Sequence, residues 1–262
     1  MMTLTQLANL YHSDKGDTVG CCHRYASLYE TILAPFRDKP ISFLEIGLQR
    51  DVCQHQPDCP SLRMWLDFFP QGDINGFDIS DFSDVQIDRA TIFQGDQGDP
   101  AALQSVAEKV GPFDVIIDDG SHASHHQQIT VGNLFSHLKP GGLFIIEDTH
   151  WQPQRQAEVS DGVDTTLEVF KRFAIDGQPL QSSYFSESQR QDLEQNIFRC
   201  TFSHPCEITS PSQSGQRSAV RNLVRRFKGK KDLSVRPFKL IVLEKQSFRN
   251  DPGCESVNAQ LM

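Results

Sequence analysis

The sequence predicts an α/β chain, a doubly wound and mostly parallel sheet with amino-terminal helices and an insertion in its carboxy-terminal part. Short apolar runs alternate with segments of helical period along the first 150 or so residues. Two of those runs, Ile116-Ile117-Asp118-Asp119-Gly120-Ser121-His122 and Ile145-Ile146-Glu147-Asp148-Thr149-His150, stop abruptly at adjacent acids. Between runs stand helix-opening pairs such as Asp99-Pro100. In such a sheet the acids fall at the carboxyl edge, where open α/β folds bind ligands.

Taken in order, Leu4, Leu7, Leu10 and Tyr11 have helical spacing, and Ser13-Asp14-Lys15-Gly16-Asp17 breaks the pattern. A second amphipathic helix carries Tyr25, Leu28, Tyr29, Ile32 and Leu33 and ends near Pro35. Together, residues 1–40 read as a helical cap on the sheet. The first strand, 41–47, runs from Ile41 into Gly47. A helix with Leu62, Trp65, Phe68 and Phe69 follows Ser61 and is stopped by Pro70. Strands are expected at 74–78 and 91–94, a helix from Asp99-Pro100, a strand at 113–117, a helix closing over 134–138, and a strand at 143–146 after Lys139-Pro140-Gly141-Gly142. Further on, 165–173 reads as a helix and 197–202 and 238–243 as strands completing a domain that spans 41–246. Between those strands the serine- and glutamine-rich stretch and the basic run 221–231 read as a mobile surface insertion, about 206–236. The segment 247–262 lacks periodicity and reads as a disordered tail.

Composition narrows the function classes. The 262 residues carry a formal net charge of -9, which argues against nucleic acid as the main partner and favours a small or neutral substrate. Seven cysteines, an odd number, do not form a secreted disulfide framework in a chain of this length, so a reducing cytoplasm is expected. No apolar stretch approaches a membrane span. Cys53, His55 and Cys59, with Cys21, Cys22 and His23, match no zinc spacing, and free thiols are the simpler expectation. The sequence leaves open the oligomeric state, a homo-oligomer included.

The sheet edge collects acceptors. Glu45 and Gly47 end the first strand, Asp78 the second, and Asp96-Gln97 follow the third. Each acid alone also fits an ordinary loop or cap, but the set suits an adenosyl ligand, with Asp78 accepting from ribose hydroxyls and Asp96 and Gln97 near adenine. A nicotinamide fold would need a glycine-rich turn around a pyrophosphate, whereas Gly47 leads into Leu48-Gln49-Arg50-Asp51. S-adenosylmethionine, with its ammonium near Glu45, fits better. Asp119, Glu147 and Asp148 offer oxygen ligands suited to Mg²⁺, and His122 is placed as a general base.

The ordered set Tyr11-His12-Ser13-Asp14-Lys15-Gly16, Leu44-Glu45-Ile46-Gly47, Met64-Trp65-Leu66-Asp67-Phe68-Phe69-Pro70, Gly76-Phe77-Asp78-Ile79, Gly95-Asp96-Gln97, Asp118-Asp119-Gly120-Ser121-His122 and Pro140-Gly141-Gly142 with Glu147-Asp148 resembles the metal-dependent sugar O-methyltransferases of macrolide and other glycosylated natural products. The resemblance covers roughly 11–151. It implies a class I methyltransferase fold, S-adenosylmethionine and Mg²⁺, and a glycosylated small-molecule acceptor. Carried over by position, it makes Asp119, Glu147 and Asp148 the metal residues and His122 the base. It also assigns Asp118 to the cofactor site and folds Lys15 over the cofactor. The chain departs from the family pattern at 50–59, where an insertion precedes Ser61. A catechol O-methyltransferase, or a protein that binds the cofactor without transferring from it, are the competing expectations.

Overall fold

The computed structural model describes residues 1–18, 24–49, 58–151, 153, 164–204 and 238–247. The insertion expected at 206–236, most of the 50–59 insertion, Cys21, Cys22 and His23, and the tail beyond 247 lie outside these residues.

Two helices, α1 (Leu4–Leu10) and α2 (Tyr25–Leu33), precede the sheet. The rest follows as β1 (Ser42–Ile46), α3 (Pro60–Phe68), β2 (Asp73–Asp78), β3 (Ala90–Gln94), α4 (Pro100–Val110), β4 (Phe113–Asp118), α5 (Ser124–Leu134), β5 (Leu138–Ile146), α6 (Thr166–Ala174), α7 (Glu187–Asn196), β6 (Ile197–Ser203) and β7 (Leu240–Lys245). The seven strands are ordered β3-β2-β1-β4-β5-β7-β6, with β7 antiparallel to both its neighbours and β1 to β5 parallel. The doubly wound sheet expected from the sequence is therefore present. The sheet grows from β1 one way through β2 and β3 and then the other way from β4, so the carboxyl ends of the parallel neighbours β1 and β4 form the switch point that opens a ligand crevice.

Both faces are covered, which is why the central strands read as unbroken apolar runs. Phe43, Val115, Ile117 and Ile145 pack with α1, α2 and α3, while Leu44, Ile116, Phe144 and Ile146 pack with α4 to α7. On the first face Phe43, Trp65 and Phe69 stack with ring centroids 5.0 to 6.0 Å apart. Asp99 caps α4 through the amide of Ala101, and Pro100 sets its first turn, as expected. β5 starts earlier than its apolar run. Leu138 already pairs with Phe113, and Lys139 to Gly142 form an irregularity before pairing resumes at Leu143. The helix α7 was absent from the sequence reading. Among the described residues no helix is long and apolar enough to cross a membrane.

Candidate functional site

At the switch point the strand ends are laced together by one further backbone bond each. The Gly47 amide donates to Phe77, Asp119 to Ile46, and Glu147 to Asp118, at 2.8 to 2.9 Å. Gly47 has φ +85°, and a Cβ there would lie 2.1 Å from the carbonyl oxygen of Asp119. Only glycine lets the loop after β1 pass this close to the loop after β4. In front of these ends opens a cavity of about 900 Å³, lined among others by Lys15, Glu45, Gly47, Asp78, Asp96, Gln97, Asp119, His122, Glu147, Asp148 and Trp151.

The period of two along a strand sorts the acids. Asp118 follows Ile116 to the α4–α7 face, where it is buried, accepts from Gln97 Nε2 at 3.0 Å and does not line the cavity. Burial pushes its carboxyl up to about 6, against the hydrogen bonds of Gln97 and Gly120. Asp119 follows Ile117 to the opposite face. Its Oδ1 lies 3.9 Å from His122 Nδ1, and Asp148 Oδ2 lies 3.8 Å from His122 Nε2. One ligand atom from each of Asp119, His122 and Asp148 can fall within 4.8 Å of the others, a spacing that could hold a metal ion. His122 and Asp148 both have left-handed backbone, φ 59° and 51°. Such conformations cost energy for residues other than glycine, and they concentrate at functional sites. His122 Nδ1 is buried without a hydrogen-bond partner, and the ring meets Trp151 edge-on at 5.7 Å.

Glu147, expected beside Asp119 and Asp148, is not one of that trio but meets Asp119 on the Lys15 ammonium. It follows Ile145 under α2, where its Oε1 accepts from Lys15 Nζ at 2.8 Å and from the Tyr29 hydroxyl at 2.5 Å. Burial and the charge of Asp119 raise its pKa well above the carboxylate range, opposed by Lys15. Lys15 is itself buried. Burial would discharge its ammonium, but Asp119 at 2.5 Å, Glu147 and, at 3.5 Å, Glu45 outweigh that and hold its pKa well above the ordinary value. Lys15, expected to fold over the cofactor, lines the cavity and has its ammonium among these three carboxylates. Tyr25 donates to Asp148 Oδ1, and burial together with Glu147 and Asp148 keeps its phenol protonated.

The remaining expected residues fall as follows. Glu45 lines the cavity floor. Its Oε2 accepts from Ser61 at 2.6 Å, and its buried Oε1, near Lys15, has no hydrogen-bond partner. Asp78 holds the loops beside it, accepting from the amides of Leu48 and Ser80 at 2.8 and 2.7 Å. Asp96 is exposed at the cavity and accepts from Gly98. Gln97 lines the cavity and also staples the loops behind it. Its amide donates to Asp118 and Thr130, and its oxygen accepts from the Ser121 amide at 2.6 Å. The sequence places Tyr25 and Tyr29 on the apolar face of an amphipathic helix without assigning their hydroxyls to the site. Their i, i+4 spacing on α2 was the available signal that both hydroxyls emerge on one face.

No protein-family model matches the chain. It is 38% identical over 176 residues to the 8-demethyl-8-alpha-L-rhamnosyl tetracenomycin-C 2'-O-methyltransferase of Streptomyces olivaceus, covering 66% of this chain and 45% of that protein. It is 37% identical over 187 residues to the mycinamicin VI 2''-O-methyltransferase of Micromonospora griseorubida, covering 68% and 45%. Among solved structures it matches the MycE methyltransferase of the mycinamycin biosynthetic pathway in complex with Mg, SAH and mycinamycin VI. That match has a TM-score of 0.64 and 28% identity, over 98% of this chain and 57% of that one. The chain spans a little under half the length of these two curated relatives. With its switch-point cavity, the chain has the class I methyltransferase fold and is a sequence relative of O-methyltransferases named for glycosylated natural products.

Proposed function

We propose that the chain is an S-adenosylmethionine-dependent, Mg²⁺-assisted O-methyltransferase acting on a hydroxyl of a sugar or glycosylated small molecule. The observation that carries this is the meeting of Asp119, His122 and Asp148 at the switch point, beside a cavity large enough for a nucleoside cofactor. The donor set fits a hard cation: Asp119 and Asp148 would hold it through oxygen, and magnesium's preference for oxygen leaves His122 as the base. When bound, the ion stabilises the negative charge that develops on the acceptor oxygen.

The cavity also fits the methyl donor. The Oε1 of Glu45, without a hydrogen bond and 3.5 Å from the Lys15 ammonium, would receive its ammonium group, Asp78 its ribose hydroxyls and Asp96 its adenine end. His122 then takes the proton from the acceptor hydroxyl as that oxygen accepts the methyl group by in-line displacement. Trp151, half exposed at the rim, gives the acceptor an apolar wall.

The test is S-adenosylhomocysteine release from S-adenosylmethionine in the presence of rhamnosyl glycosides. Turnover should stop in EDTA and return with Mg²⁺. His122→Ala should lose about 100-fold or more in turnover while binding S-adenosylhomocysteine as tightly as the wild type. Undiminished turnover in EDTA would overturn the metal-assisted reading, and near-normal turnover in the variant would remove His122 as base.

A further inference from the structure

The two acids at the centre of the site are each bound through one oxygen and turn the other toward His122. Asp119 Oδ2 accepts from Lys15 Nζ at 2.5 Å, while Oδ1 faces His122. Asp148 Oδ1 accepts from the Tyr25 hydroxyl, while Oδ2 faces His122. Both donors come from the amino-terminal segment, and they are tied to each other, since the Lys15 carbonyl accepts from the Ala26 amide at 2.9 Å. One turn further along α2, Tyr29 donates to Glu147, which shares the Lys15 ammonium with Asp119.

Resting on the cation-site reading above, we propose that Lys15 and Tyr25 are positioning residues, a clamp that makes Asp119 and Asp148 present one oxygen each and so selects magnesium over calcium. The physical basis is coordination geometry. Calcium takes six to eight oxygens at about 2.3–2.6 Å and accepts carboxylates through both oxygens, whereas magnesium demands near-octahedral geometry at about 2.0–2.1 Å. A carboxylate with one oxygen engaged by a buried donor must break that bond to turn both oxygens to an ion. Calcium bears that cost and magnesium does not. A hydrogen bond to a charged acceptor is worth roughly ten-fold in an equilibrium, which sets the size of the selectivity the clamp can supply at each acid.

The experiment titrates the full chain with MgCl₂ alone and with CaCl₂ alone, reading Trp151 fluorescence and calorimetry. Trp151 is exposed and edge-on to His122, and Trp65, the other of the two tryptophans, is fully buried. Tyr25→Phe keeps the buried ring and loses only the hydroxyl. It is expected to shift the Mg²⁺/Ca²⁺ affinity ratio about ten-fold toward calcium, with unchanged S-adenosylhomocysteine affinity. Lys15→Gln keeps an N–H donor and loses the charge. It should bind both ions more tightly with a ratio within about two-fold of wild type, because the repulsion it removes acts on both ions alike. A Tyr25→Phe ratio equal to wild type overturns the clamp, as does a Lys15→Gln ratio that moves toward calcium without a gain for both ions. If wild type binds neither ion, the underlying cation-site reading fails first and the clamp goes with it.

Discussion

Replacing Gly47 by alanine tests whether the crossing of the β1 and β4 loops builds the site. An alanine Cβ would lie 2.1 Å from the Asp119 carbonyl oxygen and 2.5 Å from both the Asp119 carbonyl carbon and Gly120 Cα. All three atoms are backbone, so no side-chain rotation relieves the overlap. Gly141 supplies the control, because it has a similar φ of +78° with nothing within 4 Å of its would-be Cβ. Left-handed backbone costs a residue other than glycine about 1–2 kcal/mol, and Gly141→Ala should lose that much. Gly47→Ala adds the cost of pushing packed backbone apart, about 1–3 kcal/mol more. The displaced loop carries Asp119 and adjoins Glu45, so S-adenosylhomocysteine affinity should fall by about ten-fold or more in Gly47→Ala alone, a loss equivalent to one good contact. Denaturant melts and calorimetric titration of both variants read these quantities. If Gly47→Ala matches Gly141→Ala in stability and in ligand affinity, the close approach does not shape the site.

Other outcomes follow from the same geometry. Gln97→Ala removes bonds to Asp118, Thr130 and the Ser121 amide and leaves the buried Asp118 with the long Gly120 amide bond, so urea denaturation should show a loss of about 2–4 kcal/mol; a loss under half a kcal/mol would contradict its role as a staple. His126 is held below the ordinary histidine range by burial, against the pull of Asp96. A base with a depressed folded pKa leaves the native state less stable as pH falls through about 6.5, where the unfolded imidazole takes its proton. In melting temperatures measured from pH 8 to 5, His126→Gln should therefore fall less steeply below pH 6.5 than wild type. Parallel curves would show that His126 does not contribute to the acid slope.

Much of the fold was legible because local rules and burial agree. The apolar runs became β1, β2, β4 and β5 since a sheet covered on both faces needs no polar alternation, and Asp99-Pro100 opened α4 as its cap chemistry requires. α7 went unread because its sequence offers a single buried side chain, Leu193, although the capping box of Ser186 and Gln189 was a usable signal. The acid pairs were visible as pairs, and the strand period already implied that Asp118 and Asp119 would part to opposite faces. What the residues alone determined was the sheet, its carboxyl edge and the chemistry gathered there. Only the tertiary structure decided which oxygens meet, because Lys15, Tyr25 and Tyr29 reach Asp119, Glu147 and Asp148 across more than a hundred residues of chain. Contacts of that separation depend on how α1 and α2 dock on the sheet, and no local propensity encodes that docking.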